Sequence, residues 1–259
     1  LDLHSFPTRR SSDLAISYAI KRGNNNENGA NRVFTHAIKI GLILGIITTV
    51  IGLLFSHDIV RVLGADEIIA PLAGDYLRTL LSFSTVFIIN NIMTAFIRND
   101  NAPNLAMLAM ILGTLSNVVL DYIFIYPFKL GMFGAALATG TTPILSLIIL
   151  SFHFIRKKNN FKIIKCKINL QDIKRIISLG IPSFITEVSS GIIILLFNFT
   201  ILSISNNTGV AAYGIIANLA LIVVSIFTGI AQGIQPIISK NYGKGNRDNI
   251  KTIFNYGLI

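Results

Sequence analysis

From Thr208 to Ser239 the chain runs without a single Asp, Glu, Lys or Arg, and no other feature limits its fold so severely. About 20 predominantly apolar residues suffice to cross the hydrocarbon core of a bilayer, and this stretch is longer than that. Gly131–Ile155 repeats the uncharged pattern. Four more apolar segments lie near 36–56, 79–97, 102–126 and 176–204. Segments this long satisfy their backbone amides in lipid only as helices. The expected fold class is therefore all-α: a polytopic membrane protein with six complete transmembrane helices and partial helices at each end. Charged residues make up only 13% of the chain and mean hydropathy is +0.66, against about 25% charged in an ordinary soluble domain.

The net charge of +10 could suggest nucleic acid, but the basic residues fall between the apolar segments and not on one soluble face. They report topology instead. With loop 21–35 placed inside and the loops alternating, the inside loops hold sixteen Lys and Arg and the outside loops three, Arg61, Arg78 and Lys129. That asymmetry requires all six spans, because losing one would scramble the alternation. Loop 156–175, with eight Lys/Arg against Asp172, reads as a topology anchor.

Residues 1–14 (LDLHSFPTRRSSDL) are polar, carry no period and resemble translated adapter read-through, so they are set aside as a non-native tail. The far end, NYGLI, falls inside a starting helix. The expected organisation is an amino-terminal lobe over 15–155, a basic inside loop over 156–175, and the start of a carboxy-terminal lobe over 176–259.

An internal repeat supports two lobes. Ser17, Arg22, Gly23 and Asn24 match Ser239, Lys244, Gly245 and Asn246 in type and in one constant register, each set where a helix ends and a basic inside loop begins. Each copy precedes a helix start with a phenylalanine, Phe34 or Phe254, at a two-residue slip. Six intervening spans preserve orientation, so the expectation is a parallel repeat about an axis along the membrane normal.

Two acidic residues, Asp121 and Glu187, lie well inside spans. A carboxylate there costs about 2.5–3.5 kcal/mol on insertion scales, so each is a functional candidate. Asp121 lies about 10 Å outward of its segment's middle, and Asn117 is one turn before it on the same face. Together they can share a proton or offer oxygens to a hard monovalent cation; the alternative is an Asp that reaches water at the outer interface. Glu187 follows Pro182, which should bend its helix and open space for a cavity; the alternative is a locally bonded structural Glu. Asn198, Tyr213 and Gln235 are the candidates to line a substrate cavity beside Glu187. With Asn90, Asn91, Asn218 and Gln232, they otherwise serve as interhelical glue, worth about 0.6 kcal/mol each. Cys166 is the one cysteine and can form no disulfide within the chain. The histidines show no metal-site spacing, no phosphate loop is present, and no nucleophile–base set emerges. The chain is not read as an enzyme, and no cofactor is expected beyond H⁺ or Na⁺ as coupling ion.

In order along the chain, Leu63-Gly64-Ala65, Phe96-Ile97-Arg98-Asn99-Asp100 before Pro103, Asn117 with Asp121, Gly134-Ala135-Ala136 with Ala138-Thr139, Gly180-Ile181-Pro182-Ser183 and Gln232-Gly233 with Gln235-Pro236 follow one another. This ordered set resembles the MATE (multidrug and toxic compound extrusion) family, in its MepA/DinF-like bacterial branch. The resemblance implies helices 3 to 8 of a 6+6 twelve-helix fold, with helices 1, 10–12 and most of 2 and 9 absent from the fragment. It also implies an amino-lobe ion site of Asn117, Asp121 and Thr139. The activity implied is secondary active efflux of cationic or amphipathic organic compounds by H⁺ or Na⁺ antiport, from a multi-pass protein of the bacterial inner (plasma) membrane. Small organic cations and membrane lipid are the implied partners, nucleic acid is not, and the full-length protein would be a monomer. A fragment of this kind is expected to be inactive alone. The alternative is a lipid-linked oligosaccharide flippase of the same superfamily, which would carry basic residues in its cavity. Here the spans hold acids.

Overall fold

The computed structural model describes residues 12–258, apart from 64–66, 68, 158 and 167–169. Most of the polar tail and residues Gly64 and Ala65 thus lie outside the described residues; the tail's last residues, from Ser12, open the first helix. The helices are α1 (Ser12–Gly23), α2 (Glu27–Val62), α3 (Ile69–Ser82), α4 (Ser84–Asn99), α5 (Pro103–Ile125), α6 (Gly131–Ile155), α7 (Leu170–Gly243) and α8 (Arg247–Leu258). They fall into two compact units, Glu27–Cys166 with α2 to α6, and a second that joins α1 to α7 and α8.

In the first unit α2, α5 and α6 are each long and apolar enough to cross a membrane, and α3 with α4 passes the same test as one span bent by 47°. The apolar segment expected at 79–97 is thus the inner part of a longer element that begins at Ile69. The bend falls at Phe83, whose ring lies where Gly140 of α6 has no side chain. Small residues also let α2 approach its neighbours: Gly41 meets Ile92, Gly45 meets the Thr85 backbone and Gly52 meets Leu81. Membrane helices lack a hydrophobic drive toward one another, so close packing at small residues replaces it. The opposite face of α2, from Leu42 to Phe55, presents exposed Leu, Ile, Val and Phe suited to lipid.

The basic loop proves to be more than an anchor. Residues 159–166 run along α2 as an extended strap. The amide of Asn160 donates to Asp100 Oδ2 at 2.8 Å, that of Lys162 to Asn31 Oδ1 at 2.9 Å and that of Ile164 to Thr35 Oγ1 at 3.1 Å; Lys39 Nζ then donates to the Cys166 carbonyl at 2.8 Å. The pitches explain the fit: two extended residues rise about 6.6 Å, and four helical residues rise about 6.0 Å. Every second strap residue therefore meets every fourth residue of α2. Phe161 anchors the strap, fully buried against Phe34, with ring centroids 4.4 Å apart, and beside Phe96 and Phe154.

In the second unit helical backbone runs unbroken through α7 for 74 residues, where two spans at 176–204 and 208–239 were expected. The two descriptions agree once side chains are considered. Phe197 and Tyr213 stack with centroids 5.5 Å apart and planes 8° from parallel. Sixteen residues of straight helix would hold them about 24 Å apart. The helix therefore doubles back between them, and its two limbs carry the apolar spans Gly180–Ile201 and Ala212–Gly243. By length and composition the described residues thus offer five crossings, or six when the bent pair α3 with α4 counts as one span.

The repeat appears in the backbone with a corrected register. Amides of Asn24, Asn25 and Asn26 donate to the carbonyls of Ile20, Arg22 and Lys21; those of Lys244, Gly245 and Asn246 donate to Lys240, Tyr242 and Asn241. Asn24 therefore corresponds to Lys244, Asn25 to Gly245 and Asn26 to Asn246, a register shifted by two from the one the letters suggest. Both turns are Schellman caps with one left-handed residue, Asn25 at φ 57° and Gly245 at φ 72°. In this register Gly23 matches Gly243, and Phe34 matches Phe254 without a slip.

Candidate functional site

Helix α5 carries the strongest polar signal within a span. Asn117 and Asp121 are half-buried, and Asn117 Nδ2 and Asp121 Oδ1 are buried without a hydrogen-bond partner. A buried polar atom left this way costs about 1–3 kcal/mol. A carboxylate oxygen and an amide one helical turn apart suit a proton or a small hard cation.

Two close approaches fix how α5 lies on α6. Gly113 faces Thr142 and Ser146, and Gly134 faces Phe124. Interpolating between them along two antiparallel helices puts Asn117 and Asp121 level with about residues 136–141 of α6. Thr139, half-buried, falls in that stretch. Thr139 is therefore about level with Asn117 and Asp121 along the helix axes. Helix α4, which packs against both α5 and α6, has its own unpartnered buried atoms one turn apart, Asn90 Oδ1 and Thr94 Oγ1.

The expected cavity residues do not form one cluster. Glu187 stands exposed on the first limb of α7, and Asn198 is half-buried on the same limb. Tyr213 begins the second limb, stacked on Phe197. Gln235 is buried, with Nε2 unpartnered and its backbone carbonyl accepting from Ser239 Oγ at 2.8 Å. It lies about 33 Å further along that limb than Tyr213, in the stretch that meets α1.

Sequence reasoning assigned no role to Asp100 or His153, which form a buried pair. Asp100 Oδ2 lies 2.9 Å from His153 Nε2, and both side chains are at most 3% exposed. The same oxygen accepts the Asn160 amide. The available signal was positional: in the expected topology α4 and α6 end on the same side, which places the two residues at one level.

Comparison with known proteins agrees with this architecture. The MatE family model matches residues 13–123 and 182–259. The multidrug export protein MepA of Staphylococcus aureus (strain bovine RF122 / ET3-1) is 30% identical over 235 residues, which is 88% of this chain and 51% of that protein. Its namesake in Staphylococcus saprophyticus subsp. saprophyticus is 27% identical over 212 residues, 81% of this chain and 47% of that protein. An outward-facing structure of a multidrug resistance MATE family transporter of the MOP superfamily superposes with a TM-score of 0.85 at 27% identity, covering 96% of this chain and 56% of that one. The chain thus spans about half the length of the curated relatives it matches.

Proposed function

The chain belongs to the MatE family, and from that premise we propose that the full-length protein exports cationic or amphipathic organic compounds by H⁺ or Na⁺ antiport. It would work as a multi-pass protein of the bacterial plasma membrane. The observation that carries the reading is the unpartnered pair Asn117 Nδ2 and Asp121 Oδ1 on α5. Binding a proton or cation there satisfies the Asp121 carboxylate oxygen, and its release exposes that oxygen again. That difference is what an antiporter needs in order to favour one conformation over the other. Thr139, at the same height on α6, supplies a further oxygen. Glu187 and the aromatic pair Phe197 and Tyr213 offer charge and flat apolar surface to an organic cation. Acidic residues within the spans favour cationic cargo over the phosphates of a lipid-linked oligosaccharide.

The test is drug accumulation in cells carrying the complete protein, with and without an ionophore. Asp121→Asn should remove the gradient-driven component of export while leaving protein in the membrane. Ion-coupled export at the unmodified rate in Asp121→Asn would exclude this carboxylate from the coupling.

A further inference from the structure

The two copies of the repeat touch each other, and they do so symmetrically. A Cβ built on Gly23 would fall 2.6 Å from the Lys240 carbonyl oxygen and 2.9 Å from Gly243 Cα; one built on Gly243 would fall 3.1 Å from Gly23 Cα and closer still to the Ile20 carbonyl oxygen. In the corrected register, Gly23 is the counterpart of Gly243, and Ile20 is the counterpart of Lys240. Each glycine therefore meets its counterpart and the carbonyl three positions before it. A contact in which i meets j and j meets i in the same way is isologous, and a two-fold axis passes through it. Here that axis is the pseudo-two-fold of the repeat. On α1 the flanking Ala15, Tyr18 and Ala19 are buried, as are Gln235 and Ser239 on α7. Both helices end at this point on the inside, where the basic loops begin.

Resting on the efflux reading above, we propose that Gly23 and Gly243 form the inside gate: the two half-repeats close there backbone to backbone, and part there when the cavity opens inward. The contact has no side chain that could swing aside. It opens only if the helices themselves separate, so it reads the rigid-body position of each half. Because the obstructing atoms are backbone, a methyl group on either glycine wedges the seam. By symmetry the two wedges act alike.

The experiment uses the complete transporter in membranes, with Cys166→Ser and the cysteine pair Ala19→Cys and Ser239→Cys, counterparts one turn before the glycines. Copper phenanthroline should join the pair within one molecule. Adding Gly23→Ala or Gly243→Ala should lower the cross-link yield roughly tenfold, and equally for the two, by overpacking the seam. Gly233→Ala, on the same limb with open space around it, should leave the yield unchanged and controls for folding. Joining the pair should stop drug export, and dithiothreitol should restore it. Absence of the cross-link, unequal effects of the two alanines, or export by the joined protein at the unjoined rate would overturn the proposal. A protein that cross-links as expected but exports no drug before joining overturns the efflux reading and leaves the symmetric contact established.

Discussion

The strap over α2 can be loosened by one substitution far from it in sequence. Asp100→Ala removes the oxygen that accepts both His153 Nε2 at 2.9 Å and the Asn160 amide at 2.8 Å. Two groups then lose their acceptor. The imidazole is almost fully buried and cannot find water; a buried donor left without its acceptor costs about 1–3 kcal/mol. The amide can recover by letting the strap lift. A hydrogen bond to a charged acceptor contributes about 1.5–3 kcal/mol, so the lifted state should become roughly 10- to 100-fold more populated. Limited trypsin digestion reads that population when opening is fast relative to cleavage. Cutting after Lys162, whose amide bonds Asn31, should accelerate by that factor, while cutting after Lys244 in the other unit should not change. Asp100→Asn keeps an acceptor of the same size and should fall between. If Lys162 is cut at the wild-type rate in Asp100→Ala, the strap is not held by this oxygen and the argument fails.

Further outcomes follow from the same packing. Phe161→Ala empties a fully buried site beside Phe34, Phe96 and Phe154 and should cost about 3–5 kcal/mol, seen as a lower melting temperature of the detergent-solubilised protein; Phe161→Leu should recover most of it. Gly52→Val drives a side chain into Leu81 and should cost about 1–3 kcal/mol, measured the same way. Gly245→Asn should be nearly neutral because Asn25 already occupies the matching left-handed position, whereas Gly245→Val should lose about 1–2 kcal/mol; comparing the two melting curves checks that the site selects for backbone conformation and not for size.

The spans were legible because hydropathy acts over the full width of a bilayer and needs no knowledge of partners. Asp121 and Asn117 stood out for the same reason, as polar groups in an apolar run. The repeat was legible in kind but slid by two positions. Matching letters aligned Gly23 with Gly245, whereas the fold aligns Asn25 with Gly245, since either residue accepts a left-handed backbone. The bend at Phe83 had no proline or glycine of its own to announce it; the accommodating glycine, Gly140, sits on another helix. The strap was hidden because its partners Asn31, Thr35 and Lys39 lie on the first helix of the unit while the strap follows the last, and its lysines read only as a topology anchor. His153 carried no signal of its own for a similar reason: its partner comes from 53 residues earlier.

The match of pitches between strap and helix has a genetic consequence. Successive residues of an extended chain point their amides to opposite sides, so deleting or inserting one residue between Asn160 and Cys166 would turn the donors beyond that point away from Asn31 and Thr35. This connection, which carries no regular secondary structure, should then behave as though it had a reading frame of two: indels in related genes should cluster outside it, and those within it should come in pairs.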